Sequence, residues 1–510
     1  MEDVLVIGAG HNGLIAACYL AMSGRQVTVL EALDRPGGGS RTEERIPGYR
    51  FNLHSAAHNI INMTSIPSEL GLRDAGLTYM EMDPFSVAVR ETGEIVRFYR
   101  SIEKTVDSIA QVDIAEAHAY KEFMDRALPY IELILPAMRG GTQLKDLYRV
   151  IKSINQLRRS SLAESIYDLS LPYESLLTKY LRSDLTRGPI AAFAAHGGIG
   201  PSVSGGAIFA LWQAAYHRFG QWHAIGGSQA LIDALVLRLK TLGGTLRCSA
   251  RVAAIERDSS QVRGVVLETG EKIYARTVVT AIDPKTALLE LLKPSLSGKS
   301  GAELSGVQRG NVVQSLLHIA VDRLPQYREG RVEDWNGLQS YVDSLSDLTQ
   351  AWKEAEAGYM PSKLPLYIFT PSALDPSLAP SHHHTIYLAC PAAPYIVRDG
   401  WHGQKQQFIE RAISTIESRA PGFSDTIVDV NTYLPEEMYI DGLWPGAHPM
   451  HIDISPSQLG IFRPTRTLGQ HRTPISGLYI SGAGTAPTGG IAGTPGKMAA
   501  LAVLRDSKKR

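Results

Sequence analysis

Cysteine is scarce in this chain, with three among 510 residues, at positions 18, 248 and 390. They lie too far apart for a zinc spacing or a disulfide framework, and no CxxC pair exists, so a dithiol-exchanging protein is not expected. An excess of either charge is also missing: Lys+Arg and Asp+Glu stand at 51 each. A dedicated nucleic-acid binder usually carries a basic surplus, and no nucleic-acid partner is expected. No uninterrupted run of about 18 apolar residues appears, so no membrane-spanning helix is predicted. The N-terminus enters a strand at once, without the charged segment and cleavage site of a signal peptide. These absences predict a cytoplasmic chain, soluble or peripherally attached to a membrane. The terminal "RDSKKR" reads as a solvated basic tail. Glycine, by contrast, is plentiful at 47 residues, and the length calls for more than one core.

The glycines cluster where they carry chemistry. "DVLVIGAG" is a short β-branched run suited to a buried parallel strand. Gly8, Gly10 and Gly13 follow, spaced for a tight turn, for close backbone approach to a pyrophosphate and for helix–strand packing. A small-residue helix from Leu14 to Ser23 would aim its N-terminal N–H groups at that diphosphate. Gly24 stops it, "QVTVLE" forms the next strand, and Glu31 ends that strand where an acid can accept from a ribose diol. The segment just past this acid holds Arg35, Gly37, Gly38, Arg41 and Thr42, a second stretch of close backbone approach that a nicotinamide dinucleotide does not need. At the far end, "ISGLYISGAGTAPTGGIAGTPGKMAALAVL" repeats the plan: a strand, then Gly482, Gly484 and Gly490 with Ile491, then a small-residue helix. The positive end of that helix suits the anionic reduced form of an isoalloxazine. Two such corners point to FAD, held non-covalently, since no cysteine lies in the C-terminal glycine segment.

The remaining chain divides by texture. Residues 1–84 read as the first part of the dinucleotide domain, 85–219 as a substrate domain with a helical cap, and 220–300 as a return to the first domain. Residues 301–435 read as the sheet part of the substrate domain and 436–510 as the third part of the dinucleotide domain. From about Phe85 the texture changes, and the stretch that opens with "SIEKTVDSIAQ" at Ser101 carries helical apolar spacing with charges between. "YIELILPAM" is apolar enough to graze a membrane, but packing inside the cap is the expected fate. The run His382-His383-His384 cannot converge on one metal if it lies on a strand, where neighbours face opposite sides, so no metal is assigned.

Five stretches together carry a resemblance that runs nearly the full length: "VIGAGHNGLIAACYLA", "RPGGGSRTEERIPGYRF", "GQWHAIGGSQALIDAL" with "TAIDP", "SALDPSLAPSHHHTIYL", and "DISPSQLGIFRP" with the C-terminal glycine segment. The chain resembles the phytoene desaturase and carotenoid isomerase group of FAD flavoproteins, in the branch named for a pyridine nucleotide-disulfide oxidoreductase domain. The resemblance implies an α/β fold. A Rossmann-type FAD domain of the glutathione reductase and amine oxidase kind would carry an inserted α+β substrate domain and a helical cap. It implies that Gly8, Gly10, Gly13, Glu31, Gly37, Gly38, Val252, Gly484 and Gly490 touch FAD, with Val252 beside the adenine. It also brings His54, His58 and His451 near the isoalloxazine as candidate catalytic residues, with Asp453 beside them. His196, His217, His223, Trp212, Tyr216 and Trp222 are weaker candidates for substrate contact or cap packing. Where relatives carry a His-Pro-Gly-Gly-Gly stretch this chain has Ala486-Pro487-Thr488-Gly489-Gly490, and "FNLHSAAH" replaces an Asp-Ala-Gly type segment. These departures favour removal of hydride from a small or mid-sized polar metabolite, forming C=C or C=N, with oxygen or a quinone as acceptor. The alternatives are a carotenoid-type desaturase or isomerase at a membrane, and a flavin-bound interaction protein without turnover.

Overall fold

The computed structural model describes residues 2–140, 144–159 and 161–508; the last basic pair of the tail, Lys509-Arg510, lies outside them. Two sheets organise the chain. The first has eight strands, and its parallel part is built around Glu2–Ile7, flanked by Val27–Leu30 and Lys272–Thr280. Thr245–Arg247 extends it beyond Val27–Leu30, and Leu478–Ile480 pairs with Lys272–Thr280. The other end of Lys272–Thr280 turns antiparallel against Val262–Leu267, which pairs in turn with Val252–Arg257. The central strand is buried because both faces are covered, which is why it reads as an unbroken β-branched run.

The first helix, His11–Met22, carries no apolar stripe: Leu14, Ile15, Cys18 and Leu20 all have zero exposure. It needs none, because it is enclosed by the sheet, by helix Gln229–Thr241 and by the C-terminal helix Thr494–Ser507. Two glycines set these contacts. A Cβ on Gly13 would lie 2.0 Å from the Gly8 carbonyl oxygen, and one on Gly496 would lie 2.2 Å from the Asn12 carbonyl oxygen. Strand, first helix and last helix therefore pack backbone against backbone.

The second sheet has seven strands in the order Ile427–Tyr433, Val312–Val321, His384–Pro394, Tyr367–Phe369, Leu338–Ser340, Ser86–Val89 and Ile95–Phe98. One face packs on helix Gly400–Glu417 through Trp401, Phe408, Ala412 and Ile416. The other meets the helical cap, which buries Tyr120, Phe123, Tyr173 and Leu177. The helical spacing read from Ser101 onward is met by helix Ile102–Ala110, while residues 86–98 ahead of it form a hairpin in this sheet. All four residues of each strand are buried, so neither shows the alternation that marks a half-exposed strand. "YIELILPAM" lies in helix Ile114–Met138, where Tyr130, Ile131, Leu135 and Met138 are buried. Among the described residues no helix is long and apolar enough to cross a membrane.

Candidate functional site

A single cavity of about 860 Å³ runs from the carboxyl ends of the first sheet to the inner face of the second. Ligands settle at such strand ends in open α/β sheets. At one end the lining is Gly8, Gly10, Asn12, Glu31, Gly38 and Val252. The turn after Glu2–Ile7 and the turn at Gly37 are bound to each other, with Gly37 N–H donating to the Ala9 carbonyl at 3.0 Å. Glu31 is buried, and its two carboxylate oxygens accept from Ala9 N–H at 2.7 Å and Leu33 N–H at 3.0 Å. Each oxygen keeps capacity for a further donor. From the other terminus, Gly482, Ala483, Gly490 and Ile491 enter the same wall, just before helix Thr494–Ser507.

Not every residue singled out from sequence lines the cavity. Gly13, Gly37 and Gly484 shape the turns from behind; a Cβ on Gly484 would lie 2.6 Å from Pro284. Arg35 is exposed and pairs loosely with Glu43 at 3.6 Å. Arg41 is buried, pairs with Glu43 at 3.0 Å and donates to the Gly38 carbonyl at 3.2 Å, so it fixes the second glycine turn. Thr42 donates to Asn52 and accepts from Gln229 N–H, tying that turn to helix Gln229–Thr241.

The histidines separate in the same way. His58 is held by the Tyr79 hydroxyl at 2.8 Å and the Ser228 hydroxyl at 3.1 Å, away from the lining. His217 is engaged by Tyr120 and His223 by Asp375, and neither reaches the cavity. His11, His54, His196 and His451 do line it. His54 stands edge-on to Trp444 with ring centroids 5.3 Å apart, and its Nε2 is buried with no hydrogen-bond partner among the described residues. Burial pushes its pKa down to about 3, with His196, His448 and His318 adding repulsion. His196 bonds the Tyr367 hydroxyl, and burial lowers it to about 4. His451 lies against Gly482 and is likewise lowered by burial to about 4, although Asp283 opposes the shift. All four are neutral imidazoles near pH 7.

Sequence reasoning missed most of the far chamber. Its lining is Phe193, Ile208, Phe209, Leu338, Phe369 and Ile454, with Trp212 and Tyr216 from the weaker candidates. Beside His54 and His196, Gln314 and Gln221 are polar, and each has a buried amide oxygen without a partner among the described residues. The chamber is apolar and aromatic, although the sequence points to a polar substrate. The other residue missed is Arg463 in "IFRP". It is fully buried, and its guanidinium donates to the carbonyls of Met450, Ile452, Asp453, Gln458 and Ala483. It staples the irregular segment that carries Met450, His451, Ile454 and Leu459 into the cavity wall.

The pattern of flavin-containing amine oxidoreductases matches residues 13–494. The chain belongs to this family. It is therefore a flavin-dependent oxidoreductase with a Rossmann-type domain for FAD. Over 550 aligned positions it is 29% identical to pyridine nucleotide-disulfide oxidoreductase domain-containing protein 2 of Rattus norvegicus, covering 99% of this chain and 94% of that one. It is 25% identical over 520 positions to the lycopene-forming phytoene desaturase of a Paracoccus species, covering 98% of this chain and 96% of that one. In fold it is similar to an oxidoreductase from Methanosarcina mazei, with a TM-score of 0.65 at 15% identity, covering 99% of this chain and 100% of that one. The site suits the family's cofactor on its own terms. Glycine backbone lines both corners, Glu31 closes one end, and Asn12 Oδ1 and Asp283 Oδ2 are buried without partners among the described residues.

Proposed function

We propose that this member of the family removes hydride from a carbon of a small or mid-sized, largely apolar molecule, leaving a C=C or C=N bond. The observation that carries this reading is the continuity of the cavity from the glycine corners into the apolar chamber. FAD bound there supplies the hydride acceptor. Gly8, Gly10 and Gly38 would receive the diphosphate, Glu31 the ribose and Val252 the adenine. Gly482, Gly490 and Ile491 would border the isoalloxazine. The five motif stretches and the nearly full-length similarity to a phytoene desaturase favour the phytoene desaturase and carotenoid isomerase branch.

The chamber's chemistry limits the reaction. The aromatic and aliphatic walls exclude water from the reacting carbon. A histidine with a pKa near 3 is a weak base, so His54 orients an uncharged polar group rather than stripping a proton at neutral pH. Its unpartnered Nε2 can give or take one hydrogen bond, according to tautomer. Among the described residues, the groups that act electrostatically on His54 are histidines, with no carboxylate among them to pair an ammonium ion. Oxygen or a quinone is the expected electron acceptor.

Anaerobic mixing of the yellow holoenzyme with amines, alcohols and cyclic or open-chain terpenoids tests the reading by the loss of visible flavin absorbance. Bleaching by a neutral apolar donor supports it. Bleaching only by cationic amines overturns the assignment of the chamber, and a flavin that no donor reduces supports the interaction-protein alternative.

A further inference from the structure

The wall of the chamber holds a polar pair that hydride removal does not use. Gln314 stands on strand Val312–Val321 and His196 ends helix Asp184–His196, and both line the cavity. The Gln314 amide nitrogen donates to the His196 backbone carbonyl at 3.1 Å and approaches the ring Nδ1 at 3.4 Å. A carbonyl oxygen only accepts, so the amide cannot stand the other way round. Its Oε1 is therefore the free end, buried and without a partner among the described residues. The residue as a whole is 7% exposed. A buried acceptor left unmade is costly, and one in a cavity wall calls for a donor from whatever fills the cavity.

His196 supplies the complement. Its Nδ1 is shared by the Tyr367 hydroxyl and the Gln314 amide. An amide nitrogen only donates, so Nδ1 is the accepting atom and the ring proton sits on Nε2. Burial alone lowers the ring to about 4, with no carboxylate or cation acting on it, so the pair is neutral near pH 7. The backbone marks the same point. The ladder between Val312–Val321 and His384–Pro394 slips opposite Gln314, between the pairs Val313–Ala393 and Ser315–Cys390. Such irregularities commonly re-aim a side chain beside a site. Around the pair the wall is aromatic. Phe193 lies one turn before His196, Phe209 packs at Gly197, and Phe369 stands edge-on to Tyr367. All three phenylalanines line the cavity.

We propose that Gln314, with its amide fixed by His196, recognises a neutral hydroxyl, and that the molecule filling the chamber is an apolar alcohol. The hydroxyl donates to Gln314 Oε1, and its oxygen can accept from the His196 ring proton. An ammonium ion finds no counter-charge here. A carboxylate brings a second acceptor against Oε1 with no proton to share. A bare hydrocarbon leaves Oε1 unmade. The pair anchors the molecule and takes no part in removing hydride. The inference rests on the apolar-substrate reading above and narrows it to hydroxyl-bearing molecules.

Titration calorimetry of the full-length, flavin-loaded protein under argon tests it. Decanol and farnesol are each set against the methyl ether of the same alcohol, which keeps the chain and the oxygen and loses the donor; decanoate is the charged control. Each alcohol is expected to bind about tenfold or more tightly than its ether, and decanoate no better than the ether. In Gln314→Met the advantage falls to about twofold or less while ether binding stays at the parent's value. A role in packing alone would weaken alcohol and ether together. Gln314→Leu is the second variant, used where Gln314→Met does not retain flavin. Equal binding of alcohol and ether by the parent, or binding of neither, overturns the proposal and leaves Oε1 to a water molecule. An advantage that survives removal of the amide overturns it too, as does tighter binding of decanoate. Flavin bleaching reports the reaction and calorimetry reports this anchor, so bleaching without a hydroxyl preference strikes the anchor alone, and a hydroxyl preference without bleaching strikes the reaction alone.

Discussion

The two ends of the cavity are made of different material. The nucleotide end is mostly backbone: glycine turns from both termini and the start of the first helix, with the carboxylates of Glu31 and Asp283. The chamber is side chain, brought together from residue 54 and from residues within 134–138, 193–221, 314, 338, 369 and 444–459. The glycines that pack this cradle from behind tolerate almost no change, since a Cβ on Gly13 or Gly484 would meet an atom at 2.0 or 2.6 Å. A side-chain chamber can be recut one residue at a time.

The sharpest break is expected from Gly13→Val, whose Cβ has a carbonyl oxygen 2.0 Å away. Destabilisation of about 3 kcal/mol or more and loss of bound flavin are expected, read from the melting temperature and the visible absorbance of the purified protein.

Acid acts on both ends at once. His11 and His451 at the glycine corners and His54 and His196 in the chamber have pKa values pushed down by burial to about 3 or 4, from 6.5 when unfolded. The unfolded chain therefore binds more protons than the folded one below pH 6.5. The stability these groups contribute is complete above that value and is lost as pH falls toward 4. Melting temperature should drop on the order of 10 °C between about pH 6.5 and about pH 4.5. A melting temperature that stays flat over this interval would show the imidazoles to be solvated.

Two milder substitutions separate the ends. His54→Ala removes one orienting hydrogen bond and should lower kcat/KM about tenfold while flavin content stays whole, with partial rescue in His54→Gln. Glu31→Gln keeps only one of the two contacts to Ala9 and Leu33 N–H groups. It should weaken flavin retention about five- to tenfold, measured by reconstituting the apoprotein, and leave KM unchanged. If His54→Ala loses flavin, or Glu31→Gln changes KM, the division between the ends fails.

This division also explains what could be read before the structure. Gly8, Gly10 and Gly490 stand out in a sequence because a backbone demand leaves few residue choices at a fixed spacing. The chamber has no such spacing. Phe193, Leu338 and Ile454 meet only after folding, and each alone is an ordinary apolar residue. The hairpin at 86–98 stayed hidden for a related reason: burial on both sides removes the alternation that announces a strand. Arg463 sits inside a motif, but its five carbonyl partners belong to stretches up to 20 residues away.

The contact between Gly496 and Asn12 has a consequence for synthesis. A chain emerging from the ribosome makes its first helix at once, yet the helix that completes the enclosure comes some 480 positions later (496 − 12 = 484). The N-terminal unit must wait, half covered, until that last helix has been made. A nascent chain stopped before position 482 lacks the second glycine corner and is expected to hold the cofactor poorly.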